Sequence, residues 1–138
     1  MKFVSTRGGE KVTGAQAIVR GLSANGGLFV PEKFPQVSAE ELEGLLEADY
    51  AERAAHILGK YLDEYDRDEL LSACRSAYAK FDGGDPAPLV RIDDGVYMLE
   101  LWHGPTLAFK DMALTLLPYL LRKGCDICGV KEQILILT

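Results

Sequence analysis

Between Ser38 and Tyr78 the sequence writes three helix starts in close succession, and this run limits the fold more than any other feature. Ser38 with Glu41 has the spacing of a capping box, Asp49 can cap a second helix, and Asp66 with Glu69 opens a third. Behind each start, apolar residues recur at helical spacing. They are Leu42, Leu45 and Leu46, then Tyr50, Ala54, Ile57, Leu58 and Tyr61, then Leu70, Leu71, Cys74, Ala77 and Tyr78. Three amphipathic helices must bury three stripes, so they pack on one another and on the short strands expected before them.

Those strands are Lys2–Ser5 and Leu28–Val30. They flank a short helix that Thr13 and Gln16 open as another capping box and that Asn25-Gly26-Gly27 closes. The helical run is also where the acid lies. From Ser38 to Glu69 eleven carboxylates face only Arg53, Lys60 and Arg67, within a chain of net charge −6. Solvated helix faces explain this; the ligand spacing of a calcium loop is absent. The negative balance argues against nucleic acid as a partner. The longest apolar run, Met112–Leu121, holds Thr115 and Pro118 and is far shorter than the roughly 20 residues a membrane span needs, so no membrane partner is expected. With no secretory signal and an odd count of three cysteines, a cytoplasmic protein fits. Nothing in the sequence specifies an oligomeric state.

Phe81-Asp82-Gly83-Gly84-Asp85-Pro86-Ala87-Pro88 is the clearest break in composition. It is expected to be a domain boundary or a long turn, and as a boundary it would divide the chain into an amino-terminal domain, 1–84, and the start of a second, 85–138. After it, Leu89–Ile92 and Val96–Leu101 around Asp93-Asp94-Gly95 predict a hairpin. One long helix is predicted from about Ala108 to Arg122, kinked at Pro118 and stopped by Gly124, and then a buried strand over Gln133–Leu137. A buried strand with no crossover after it reads as a domain cut in mid-course.

The chemistry concentrates in Trp102–Asp111. Gly104-Pro105-Thr106 is a tight turn, Thr106 can cap the helix that follows, and Lys110 falls near its first turn. That is the unfavourable end of a helix for a cation. A lysine there, beside Phe109 and an apolar run, would have its charged form disfavoured and could act as a neutral, Schiff-base-forming amine. From placement alone, an exposed lysine paired with Asp111 or Glu100 is the commoner outcome. Cys125-Asp126-Ile127-Cys128 reads as two loop thiols before a strand. Half of a zinc site or a redox pair would need ligands or a helix start that the sequence does not supply. Arg7, next to Ser5 and Thr6, is a candidate anion contact or a turn residue.

Glu100-Leu101-Trp102-His103-Gly104-Pro105-Thr106-Leu107-Ala108-Phe109-Lys110-Asp111 resembles the cofactor-lysine segment of the threonine synthases, with only an aromatic exchanged for an aromatic at Trp102. Ser5-Thr6-Arg7-Gly8, Gly21-Leu22, Gly26-Gly27-Leu28-Phe29-Val30-Pro31 and Pro88-Leu89-Val90 match in order and extend the resemblance over nearly the whole chain. Asn25 stands where the family often has Asp. The resemblance implies an α/β fold: an α+β amino-terminal domain followed by the start of a fold type II pyridoxal-phosphate catalytic domain. It implies conversion of O-phospho-L-homoserine and water to L-threonine and phosphate. Lys110 would carry pyridoxal 5'-phosphate, yield it to the substrate amine and move protons at the substrate carbons. Asp111 would anchor the turn, and His103, Thr106 and Arg7 are candidate substrate or loop contacts; no metal is implied. The family's later segments, a Ser-Gly-Asp-Thr-Gly-like loop, the phosphate loop and the partner of the pyridine nitrogen, are not in this sequence. The chain alone is therefore expected neither to hold the cofactor nor to turn over. The other readings are a related phospholyase, and a non-catalytic interaction module in which Lys110 is exposed, ordinary and freely replaceable.

Overall fold

The computed structural model describes residues 1–135. Strand β1 (Lys2–Ser5) is the centre of a three-stranded antiparallel sheet, with β2 (Lys11–Thr13) on one side and β3 (Phe29–Pro31) on the other. The register pairs Phe3 with Val12 and Val4 with Val30. β2 has no counterpart in the sequence reading, because three residues are too few to show alternation. Val12 is nonetheless almost fully buried.

Helix α1 (Gly14–Arg20) begins at the Thr13–Gln16 capping box, as its spacing predicts. A second acceptor arrives from 50 residues away: the Glu64 carboxylate takes the Gly14 N–H at 2.8 Å and the Ala15 N–H at 3.3 Å. The acidic run supplies the next three helices, α2 (Ala39–Gly44), α3 (Tyr50–Tyr61) and α4 (Arg67–Tyr78), capped by Ser38, Asp49 and Asp66. The Asp66 cap is not reciprocated by Glu69, because the Glu69 carboxylate pairs with Lys123 instead.

Hairpin strands β4 (Leu89–Asp93) and β5 (Val96–Leu99) form where predicted, with a register shift between Arg91 and Asp93. The long helix expected over 108–122 is two helices, α5 (Asp111–Leu114) and α6 (Leu117–Cys128). Pro118 is the cause. It has no N–H to donate and would crowd the carbonyl four residues earlier, so it sits in the first turn of a new helix, where neither defect matters. Thr115 and Leu116 keep helical dihedral angles, and the Leu116 and Tyr119 N–H groups reach back three residues rather than four.

Gly124 does not stop α6. A methyl group there would lie 2.8 Å from the Tyr65 hydroxyl and 3.1 Å from Val19, so this glycine lets α6 approach α1 closely. The helix ends at Gly129, which takes the left-handed conformation with φ 68°. Cys125 and Cys128 thus lie in the last turn of a helix rather than in a loop, and burial pushes the Cys128 thiol up. Of the strand predicted over 133–137, Gln133, Ile134 and Leu135 form no regular structure and are exposed; Ile136 and Leu137 lie outside the described residues. A strand needs a neighbour, and no strand pairs with these three among the described residues.

Two buried groups meet at Leu120. One gathers Ala51, Cys74, Ala77 and Leu116 from α3, α4 and the step before α6; the other gathers Ala15, Leu62 and Tyr65. Two tyrosines, Tyr65 buried and Tyr78 partly buried, bond to the backbone around them through their polar ends. Tyr65 donates to the Leu120 carbonyl at 2.8 Å and Tyr78 to the Met112 carbonyl at 3.1 Å. Burial raises the pKa of both phenols, and that of the Cys74 thiol to about 11, so all three stay protonated. No helix among the described residues is long and apolar enough to cross a membrane.

Candidate active site

Lys110 stands at the start of α5, with its side chain exposed. The apolar enclosure expected from Phe109 is not there: Phe109 is 75% exposed and Leu107 69%. Neither acid considered as its partner is available. Asp111 is engaged by Thr106, and Glu100 lies 2.7 Å from His103 Nε2.

The backbone on both sides of Lys110 is held tightly. From Gly104 onward the chain runs through i→i+3 turns, in which the N–H groups of Leu107, Asp111, Met112 and Ala113 reach Gly104, Ala108, Phe109 and Lys110. Asp111 is 3% exposed, and its two oxygens accept from the Thr106 N–H at 2.7 Å and the Thr106 hydroxyl at 2.6 Å. The Thr106 hydroxyl leads the bonds that hold the Asp111 carboxyl below the usual carboxylate range, and the Lys110 charge adds to them. Thr106 therefore does not cap α5 with its oxygen, as its position suggests. Its hydroxyl donates, because a buried carboxylate is the stronger acceptor within reach.

Gly104 is part of the same arrangement. A Cβ at residue 104 would fall 2.4 Å from Asp111 Cβ and 2.6 Å from its Oδ2, so no side chain fits. Leu107 takes φ 57°, a left-handed conformation uncommon outside glycine, and the Thr106–Asp111 bonds close the loop across it.

His103 lies in the same loop but turns elsewhere. Its ring stacks on Trp102 at 5.8 Å between centroids and bonds Glu100, while its carbonyl accepts from the Asp82 N–H. Arg7 is exposed near β1, where one guanidinium N–H donates to the Asn25 carbonyl at 3.0 Å. The structure thus brings Thr106, Lys110 and Asp111 together, sets His103 against Glu100, and bonds Arg7 to the Asn25 turn. Asn25 supports that turn from its side chain. Its amide donates to the Gly8 carbonyl and accepts from Ser5 and Gly27; a carboxylate could not make the first of these bonds. Sequence reasoning missed Glu100 as the partner of His103, and Gly104 as the space for Asp111. The three-residue spacing of Glu100 and His103 was the available signal for the first.

The family model described as threonine synthase N terminus matches residues 2–78, more than half of the chain. The chain belongs to the threonine synthase family. It is 38% identical over 127 residues to threonine synthase of Methylobacillus glycogenes, covering 85% of this chain and 27% of that protein. It is 42% identical over 103 residues to threonine synthase of Escherichia coli, covering 74% and 23%. The crystal structure of a threonine synthase from Brucella melitensis with pyridoxal phosphate bound superposes with a TM-score of 0.87 at 37% identity, over 94% of this chain and 28% of that one. The chain thus spans about a quarter of the length of these threonine synthases and corresponds to their amino-terminal region. Mixed helices and short antiparallel strands agree with the α/β class expected from the sequence.

Proposed function

We propose that this chain is the amino-terminal part of a pyridoxal 5'-phosphate-dependent threonine synthase, a cytoplasmic lyase that converts O-phospho-L-homoserine and water to L-threonine and phosphate. The observation that carries the reading is the state of Lys110. It is an exposed primary amine, its neighbouring acids are bonded elsewhere, and its backbone is fixed on both sides. An amine so placed fits the aldehyde of the cofactor, and the Brucella melitensis relative carries that cofactor.

The cofactor supplies the electron sink that lets bonds at the substrate carbons break and form. Lys110 would hold the cofactor through its amine and would take and return protons at those carbons. Thr106 keeps the loop closed through Asp111. His103, with its ring fixed by Glu100, and Arg7, with guanidinium N–H groups beyond the one used by Asn25, are the candidate contacts to the substrate. We place residues 1–84 in one domain and 85–138 in the start of the catalytic domain. Among the described residues Lys110 is open to solvent, which supports the expectation that the chain alone does not hold the cofactor.

Borohydride reduction of the full-length protein with pyridoxal phosphate, followed by peptide mapping, tests the assignment: the label belongs on Lys110, and a label on any other lysine overturns it. The 138-residue chain alone should release no phosphate from O-phospho-L-homoserine. Phosphate release by it would show that the site needs no further walls.

A further inference from the structure

The loop that carries Lys110 has almost no apolar burial to hold it. Pro105, Thr106, Leu107, Phe109 and Lys110 are exposed, whereas Gly104 and Asp111 are buried. A charged group is therefore the inward-facing anchor of a loop whose large apolar side chains face out. Burying a carboxylate is unfavourable unless its oxygens are bonded, so the site holds together only with those bonds made. We propose that Asp111 is a positioning residue for the cofactor lysine, acting with Thr106 and Gly104 as a clamp that fixes where the Lys110 amine leaves the chain. The proposal rests on the reading of Lys110 given above and adds the residues that aim it.

Five hydrogen bonds fix Asp111 itself. Its carboxylate oxygens accept from the N–H and the hydroxyl of Thr106, its N–H reaches the Ala108 carbonyl, and its carbonyl accepts from the Thr115 hydroxyl at 2.7 Å and the Thr115 N–H at 3.1 Å. Lys110 is bonded directly to this residue, and its own carbonyl accepts from Ala113 and Leu114. The lysine Cα thus has little freedom while its side chain stays open. Gly104 lets Asp111 come this close, and the Thr106 bonds hold closed a loop that passes through the left-handed conformation of Leu107. With both oxygens bonded to Thr106, the carboxylate acts on the lysine through the shared backbone in addition to the attraction between the two charges. A misplacement of a reacting group by about 1 Å can slow its reaction by about a hundredfold.

The test uses the full-length protein and two readouts other than turnover: amide exchange at Thr106 without cofactor, and the share of borohydride-trapped pyridoxal phosphate found on Lys110 against all other lysines. Asp111→Ala should speed Thr106 exchange and lower the Lys110 share, each by about tenfold or more. Thr106→Val keeps the Asp111 charge and removes the hydroxyl, and should lower the Lys110 share in the same direction. Thr106→Ser restores the hydroxyl and should stay within about twofold of the unsubstituted protein on both readouts. Amides of Leu70 and Cys74 report on the core. If they too exchange faster in Asp111→Ala, the Thr106→Val and Thr106→Ser pair decides. Label on another lysine in the unsubstituted protein sinks the cofactor reading and this one with it. An unchanged Lys110 share in Asp111→Ala and Thr106→Val, with Thr106 exchange accelerated, sinks this proposal alone.

Discussion

The helical body and the segment from Leu89 to Lys110 hold their shape by different means. In the body, α3, α4 and the start of α6 close over Ala51, Cys74, Ala77 and Leu116, and caps set where each helix begins. In the hairpin, every residue of both strands is exposed, with Leu89 at 64%, Tyr97 at 56% and Leu99 at 53%. Beyond it, the lysine loop relies on hydrogen bonds to one buried carboxylate. A two-stranded hairpin with large apolar side chains on both faces is marginal in water by itself. The difference teaches that one region is held by its own buried core, while the other is specified locally and left uncovered by the described residues.

The largest effect should come from truncating the core. Leu70→Ala, at a residue 3% exposed, should destabilise the chain by about 3 kcal/mol in urea unfolding. Leu89→Ala, on the hairpin, should stay within about 0.5 kcal/mol. A cost for Leu89→Ala approaching that of Leu70→Ala would erase the contrast, because it would show the hairpin face packed against something in solution.

A smaller effect should follow loss of a cap. Asp66 accepts from the N–H groups of Asp68 and Glu69, and α4 carries Leu70, Cys74 and Ala77 into the core. Asp66→Ala should therefore cost about 1 kcal/mol and lower the unfolding midpoint of the whole body. If only the first turn of α4 frays while the midpoint holds, the cap and the core are not coupled as described.

These contrasts follow how far each feature reaches along the chain. The four helix starts at Thr13, Ser38, Asp49 and Asp66 were readable because a cap is a contact over two or three residues. Glu64 capping α1, and Gly124 making room for Tyr65 and Val19, join residues 50 or more positions apart, and no local pattern announces them. Gly124 was misread for that reason: a glycine in a helical stretch looks like a stop until the helix it approaches is known. At the site, the segment around Lys110 was legible as a motif and Asp111 as an anchor of the turn. The donor role of the Thr106 hydroxyl and the positive φ of Leu107 were not, since each depends on how the loop folds back on itself.

Helix α2 sharpens the comparison, because it lies among the body helices and is held as the lysine loop is. It buries no residue, and Leu42 and Leu46 are 56% and 69% exposed. Polar links from α3 hold it: Arg53 reaches the Leu45 and Leu46 carbonyls, Lys60 reaches the Gln36 carbonyl, and Glu41 sits against both Lys60 and His56. The bond from Lys60 leads, with the Ser38 N–H next, in lowering the Glu41 pKa from its ordinary 4.5 to about 2. A lowered folded-state pKa means the charged form stabilises the docked helix. That contribution is complete above pH 4.5 and is lost as pH falls through 4.5 toward 2. Glu41 is partly exposed, so solvent screening keeps the effect small and local. Amide exchange at Ser38 and Glu41 should rise over that window, ahead of Leu70 and Cys74 in α4. Glu41→Gln should reproduce the rise at neutral pH while moving the thermal midpoint by no more than about 2 °C. Simultaneous loss of protection in α2 and α4 would mean that α2 is part of the core after all, and that burial rather than charge sets the division between the two regions.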